Sequence, residues 1–279
     1  MNYQWYPGHM TKAKRMMQEN IKLIDLVIEL VDARIPLSSR NPDIDTLAAG
    51  KSRMVLLNKS DLADASGNAQ WKKYFEEKGI HVLEINAKAG SGVKSVNGLV
   101  QEACKEKIER DRKRGIVNRP VRAMVVGIPN VGKSTFINAF AGKACTKTGN
   151  KPGVTKGKQW IKLNKGLELL DTPGILWPKF EDQEVGKHLA YIGSINDEII
   201  IMEEMACDLI GELINLYPNV LKERYSLEEL GKPIEILQAI AENRKCYSKG
   251  QELDLLKASN LFIDDFRSGK LGRITLERP

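Results

Sequence analysis

Over roughly the first 175 residues, short apolar runs alternate with longer segments in which apolar residues recur every three or four positions. LVIELVD from Leu26, MVLLN from Met54, HVLEI from His81 and RAMVVG from Arg122 have the length and β-branched content of buried strands. Between them, Ala13, Met17, Ile21 and Ile24 predict a helix over 11–24, and WKKYFEEK a second one closed by Gly79. A third is expected from Val93 to about Arg114, and a fourth, KSTFINAFA, ends at Gly142. KQWIKL and GLELLD flank a turn at Asn164-Lys165-Gly166 and read as a hairpin. This alternation predicts an α/β domain, a mostly parallel sheet flanked by helices, with ligands at the carboxyl ends of the strands.

From about Phe180 the strand signal ends. QEVGKHLAYIGSI, IIIMEEMACDLIGELINLY and IEILQAIAENRKC are periodic only as helices, which predicts an all-α C-terminal domain. The expected division is 1–178 and 179–279.

Composition adds limits. No apolar run approaches the ~20 residues of a membrane helix, and MNYQWYPGHMTKAKRMM has neither the apolar core nor the cleavage site of a secretory signal. A cytoplasmic protein without membrane contact is expected, its four scattered cysteines reduced. The net charge of +7 conceals an asymmetry: residues 1–175 carry 30 basic and 17 acidic side chains, residues 176–279 carry 13 and 19. A basic half fits a polyanionic partner, although a lysine-rich surface also serves solubility alone.

GIPNVGKST, Gly127 to Thr135, follows a strand and opens a helix, the context in which Gly-x4-Gly-Lys-Ser is a phosphate-binding loop. Backbone N–H groups of Asn130, Val131, Gly132 and the helix start would cradle the phosphates, with Thr135 behind them. Lys133 would reach the β/γ oxygens and Ser134 would ligate Mg²⁺. In the strand-ending LLDTPG, Asp171 would hold Mg²⁺ through water and the Gly174 N–H would sense the γ-phosphate. Between these motifs, Thr155 in NKPGVTKG is the one well-placed hydroxyl for a switch ligand to Mg²⁺.

MVLLNKSDL, Met54 to Leu62, ends in Asn58-Lys59-Ser60-Asp61. A carboxylate at Asp61 accepts from guanine N1–H and N2–H₂, whereas adenine would leave it unpaired. Asn58 would meet the N7/O6 side, and the stem of Lys59 would cover the ring. The next strand ends at Ala87 and Lys88, placed to touch O6 through backbone. No second Asn-Lys-x-Asp follows DTPG, so the base-reading motifs precede the phosphate-reading ones. Such a chain is a circularly permuted P-loop GTPase that binds GTP/GDP.

The order Asn-Lys-x-Asp, Ala-Lys, phosphate loop, Thr switch, Asp-Thr-Pro-Gly resembles the circularly permuted GTPases of the YlqF/YawG family, and WYPGHMTKA and DLVIELVDARIPLSSRNP extend the likeness along the whole chain. The resemblance implies hydrolysis of GTP in late maturation of the large (50S) ribosomal subunit. Its partners would be the large ribosomal subunit precursor, with rRNA and ribosomal proteins, contacted in part by the helical domain of a free monomer. A GTPase of a tRNA-modification or signalling complex, or a nucleotide-gated RNA-binding scaffold, remains open on the residues alone. Where many GTPases carry a water-orienting Gln after DTPG, Ile175 has no hydrogen-bonding atom. His81 and His188 fall in a strand and a helix as structural residues, which leaves His9, in WYPGHM, as the catalytic candidate that the resemblance implies. Asn130 resembles the Asn of cation-activated GTPases, which implies a K⁺ site beside the phosphates.

Overall fold

A computed structural model describes residues 8–117, 119–146, 159–172, 174 and 182–279, with side chains from residue 14 onward except at 159. The described chain divides into two compact units. One takes in the residues up to 174 and, again, Glu277–Pro279; the other runs from 182 to Leu276. The last three residues, expected with the helical domain, thus belong to the first unit, where hydrogen bonds from Glu277 and Arg278 hold them.

The first unit is built on six strands among the described residues: β1 (Leu26–Asp32), β2 (Ser52–Asn58), β3 (His81–Glu84), β4 (Val121–Val126), β5 (Gln159–Asn164) and β6 (Leu167–Asp171). Their order in the sheet is β3-β2-β1-β4-β6-β5, parallel throughout except for the β5–β6 hairpin. The order reverses between β1 and β4. Chain segments leave these neighbouring strands in opposite directions along the sheet, which opens a crevice at their carboxyl ends.

Among the described residues six α-helices accompany the sheet: α1 (Gly8–Asn20), α2 (Asp43–Leu47), α3 (Ala65–Glu77), α4 (Val96–Ala103), α5 (Lys105–Lys113) and α6 (Lys133–Ala141). Asp64 caps α3 by accepting from the Ser66 N–H at 3.0 Å. The buried Trp71 and Phe75 of α3 pack on Val31, Val55, Leu57 and Val82, and each such aromatic contributes about 1.5–3 kcal/mol. Two helices depart from the periodicity. The first stops at Asn20, whose amide donates to the Met16 carbonyl, and a 3₁₀ turn over Ile21–Leu23 replaces its last turn. The long helix expected from Val93 begins as a 3₁₀ turn and breaks at buried Cys104, where the torsions open to φ −107° and ψ 11°.

β1 is buried at every position, although two of its residues are carboxylates. Glu29 meets Arg40 at 3.0 Å and Arg53 at 3.5 Å, while Asp32 meets Arg34 at 2.8 Å and Lys59 at 2.9 Å. Burial raises the Glu29 pKa despite both arginines, and its Oε1 has no hydrogen-bond partner among the described residues. Burial acts on Asp32 in the same sense, but Arg34 and Lys59 outweigh it and hold this carboxyl well below the usual range.

The second unit contains α7 (Gln183–Tyr191), α8 (Met202–Leu216), α9 (Pro218–Tyr225), α10 (Pro233–Asn243) and α11 (Leu255–Ser268). Met205, Ala206, Leu209, Ile210 and Leu213 bury one face of α8, which packs on α10 and α11. His188, expected as a structural residue, has its Nε2 3.1 Å from Glu212 Oε2, and the Tyr191 hydroxyl donates to the other oxygen at 2.9 Å. Arg267 donates to the carbonyls of Ala190 and Tyr191 at the end of α7 and pairs with Asp197. Among the described residues no helix is long and apolar enough to cross a membrane.

Candidate functional site

The buried strand β4 delivers Gly127–Lys133 to the crevice, between β1 and β6. Contacts dictate the glycines here. A Cβ on Gly127 would stand 2.8 Å from the Leu30 carbonyl oxygen, and one on Gly132 would stand 2.5 Å from Asn58 Nδ2. Asn130 adopts φ +59°, a left-handed conformation that Asn tolerates better than most residues, and Gly132 follows at +97°. The turn feeds α6, with Lys133 at its start and left-handed Gly142 at its end.

Lys133 is 7% exposed, and its ammonium reaches the Gly127 carbonyl only at 3.4 Å. Asp171, at the end of β6, is fully buried, and among the described residues neither carboxylate oxygen has a well-formed hydrogen bond, the neighbouring Thr172 N–H offering only a weak one. Burial pushes Asp171 up to about 6 against the attraction of Lys133, and pushes Lys133 down to about 8 against that of Asp171. Two buried charged groups that satisfy each other so poorly fit a site whose remaining charges arrive with a ligand: phosphates for Lys133, a divalent cation for Asp171. Thr172 donates to the Val125 carbonyl at 2.8 Å, which ties the end of β6 to β4. Gly174 approaches the phosphate loop so closely that a Cβ would stand 2.8 Å from the Pro129 nitrogen.

On the other side of the crevice, Asn58 ends β2. Its amide donates to the Val131 carbonyl at 2.8 Å and accepts from the Ala87 N–H at 3.0 Å. One buried side chain therefore joins the phosphate loop, the Asn-Lys-Ser-Asp loop and the Ala-Lys loop. Its amide oxygen and one amide hydrogen serve the protein backbone, which leaves the second amide hydrogen for a ligand. Lys59 sits at φ +58° and its ammonium donates to the Asn130 carbonyl at 3.1 Å while pairing with Asp32. Both the N–H and the hydroxyl of Ser60 donate to the Ile85 carbonyl. Asp61 is exposed and, among the described residues, its carboxylate makes no hydrogen bond or ion pair. Ala87 is buried and Lys88 exposed beside it.

These loops, distant in the chain, converge through Asn58 and Lys59 on one crevice. His9, Thr155 and Ile175 lie outside the described side chains. His81 is half-buried at the start of β3. Missed from sequence were Asp32 and Arg34, which brace Lys59, and Glu277; the charged Asp32-Ala33-Arg34 closing an apolar strand was the available signal for the first two.

The fold and the site define a P-loop GTPase whose base-binding strands precede its phosphate-binding strand. Residues 122–241 match the family model described as 50S ribosome-binding GTPase. A Bacillus cereus protein named Ribosome biogenesis GTPase A is 51% identical over all of this chain and 95% of its own length. Mitochondrial ribosome-associated GTPase 1 of Mus musculus is 34% identical over 99% of this chain and 90% of its own. Among solved structures, GDP-bound TM YlqF covers 95% of this chain and 99% of its own, with TM-score 0.68 and 27% identity. GNP-bound YlqF from T. maritima gives 0.66 and 28%, over 96% and 98%. The chain belongs to the ribosome biogenesis GTPase A (YlqF) family and is a GTPase.

Proposed function

We propose that the protein hydrolyses GTP while docked on a precursor of the large ribosomal subunit, as a late assembly factor in the cytoplasm, and that it is a monomer when free. The observation that carries this is the half-identity, over the full length, to a protein named for ribosome biogenesis. The basic balance of residues 1–175 supports an rRNA-facing surface.

In this reading Asp61 selects guanine, Asn58 and Lys59 hold the base loop against the phosphate loop, and Ala87 and Lys88 close the O6 side. Backbone groups of Asn130 to Gly132 receive the phosphates, and Gly174 responds to the third one. Mg²⁺, held by Ser134, Thr155 and Asp171, neutralises charge on the β/γ oxygens. The buried Asp171 carboxylate, without a well-formed hydrogen bond among the described residues, supports that assignment. K⁺ beside Asn130 supplies further positive charge. Hydrolysis is then faster in K⁺ than in Na⁺ at equal ionic strength, and Asn130→Ala removes the difference; equal rates in the two salts refute the K⁺ site. With Ile175 unable to orient water, His9 takes that part on the docked particle.

Co-sedimentation tests the docking. The protein travels with purified large subunits when loaded with a non-hydrolysable GTP analogue and leaves them when loaded with GDP. Equal sedimentation in both states, or with the small subunit instead, removes the reading.

A further inference from the structure

The final residues of the chain make contacts that nucleotide chemistry does not require. Leu276 belongs to the helical unit, and one residue later Glu277 is part of the nucleotide unit. The Glu277 carboxylate accepts from the Leu37 N–H at 2.7 Å and from the Ser38 N–H at 3.0 Å, and the Ser38 hydroxyl donates to it as well. Its backbone carbonyl accepts from Trp71 Nε1 at 3.1 Å, and Arg278 pairs with Asp64, the cap of α3, at 3.1 Å. An acceptor-only carboxylate suits adjacent backbone donors, and such charge-assisted bonds are roughly twice as strong as neutral ones.

Leu37 and Ser38 lie in the loop that follows β1, and this loop leads to the nucleotide. The hydroxyl of Ser39 accepts from the Asp32 N–H at 3.0 Å. Asp32 accepts from the Arg34 N–H at 3.1 Å and from its guanidinium at 2.9 and 2.8 Å, and holds Lys59 at 2.9 Å. Lys59 in turn donates to the Asn130 carbonyl of the phosphate loop at 3.1 Å. Each link is a buried or half-buried polar contact with a definite partner.

We infer that Glu277 is a positioning residue for the guanine-nucleotide site, acting through the loop after β1 on Lys59, and that its hydrogen bonds make the C-terminal tail a second tether between the helical unit and that site. The inference rests on the reading of Asn58 to Asp61 as the base loop. The first attachment follows the nucleotide-sensing Asp-Thr-Pro-Gly motif, and the second ends on the brace of the base loop. Without the Glu277 carboxylate, the buried Ser38 N–H and hydroxyl lose their acceptor and the loop samples more conformations. The fraction of molecules with Lys59 correctly braced falls, and apparent nucleotide affinity falls with it.

The test is dissociation of a fluorescent GDP from the full-length protein, with Glu277→Ala, Glu277→Gln and Arg278→Ala compared at a temperature well below their unfolding transitions. Glu277→Ala raises Kd and the off-rate about three- to tenfold, while kcat at saturating GTP changes by less than about twofold. Glu277→Gln keeps one acceptor oxygen and loses less; Arg278→Ala, which leaves the carboxylate in place, binds GDP as the wild type does. Wild-type affinity in both Glu277 variants, with or without a lowered Tm, overturns the inference and leaves Glu277 a structural tie. Should Glu277→Ala fail to fold, Glu277→Gln alone decides. Failure of the base-loop reading shows itself separately, as unchanged base selectivity in Asp61→Asn.

Discussion

At the scale of single residues, the arrangement turns on side chains that are either fully committed to the protein or left open for a ligand. Asn58 and Lys59 are committed, Asn58 to the Val131 and Ala87 backbone and Lys59 to the Asn130 carbonyl and Asp32. Asp61 and Asp171 are open, one exposed and one buried, and neither has a well-formed hydrogen bond among the described residues. Asp61→Asn tests the first of these. The amide can donate to the 2-oxo group of xanthine, so binding of GTP falls steeply while xanthosine triphosphate binds better; retained GTP affinity rejects Asp61 as the base reader. The place of Asp61, exposed in the loop after β2, was legible from three spaced residues because a loop motif fixes the backbone. Asn58 was read only in part: its spacing places it at the crevice, but its partners at Ala87 and Val131 come from loops whose approach no local pattern encodes.

At the scale of elements, β1 shows where hydrophobic patterning misleads. LVIELVD reads as an apolar strand, yet it carries Glu29 and Asp32 through the centre of the sheet, neutralised by arginines from the loop that follows. Arg40 also reaches Asp45 of α2 at 2.8 Å and lies over the Phe75 ring, so one guanidinium joins strand, helix and core. Arg40→Ala therefore strands Glu29 in the interior with Arg53 as its remaining cation, and about 3–5 kcal/mol of stability is lost at neutral pH. The pH dependence follows from the raised pKa of Glu29. The folded state holds this proton more tightly than the unfolded chain, so the variant loses stability as pH rises from the unfolded value towards the folded one. Its deficit against wild type is smaller near pH 4 than at pH 7, because removing Arg40 raises the Glu29 pKa further. Urea unfolding at the two pH values measures this; an equal deficit at both contradicts the account. The strands and the helices named from sequence were legible because the two periods differ, whereas α2, α9 and α11 were not read from the sequence. The break at Cys104 was not, since no Pro or Gly marks it.

For the whole molecule, the permuted order has a mechanical consequence. The Asp171-Thr-Pro-Gly174 motif, central in other GTPases, here stands at the end of the phosphate-binding half, and the helical unit follows within a few residues. If Gly174 responds to the third phosphate, as proposed, its loss would be felt first where the chain leaves the nucleotide unit. The division into two units was legible from the change of period near Phe180, but the return of Glu277 was not, because three terminal residues carry no period. The central claim, hydrolysis of GTP on the large subunit, is tested most directly by the rate of phosphate release with and without purified large subunits. The subunits raise kcat strongly over a slow intrinsic rate, and His9→Ala lowers the stimulated kcat by about two to four powers of ten while GTP affinity stays nearly unchanged. A rate indifferent to large subunits contradicts the account.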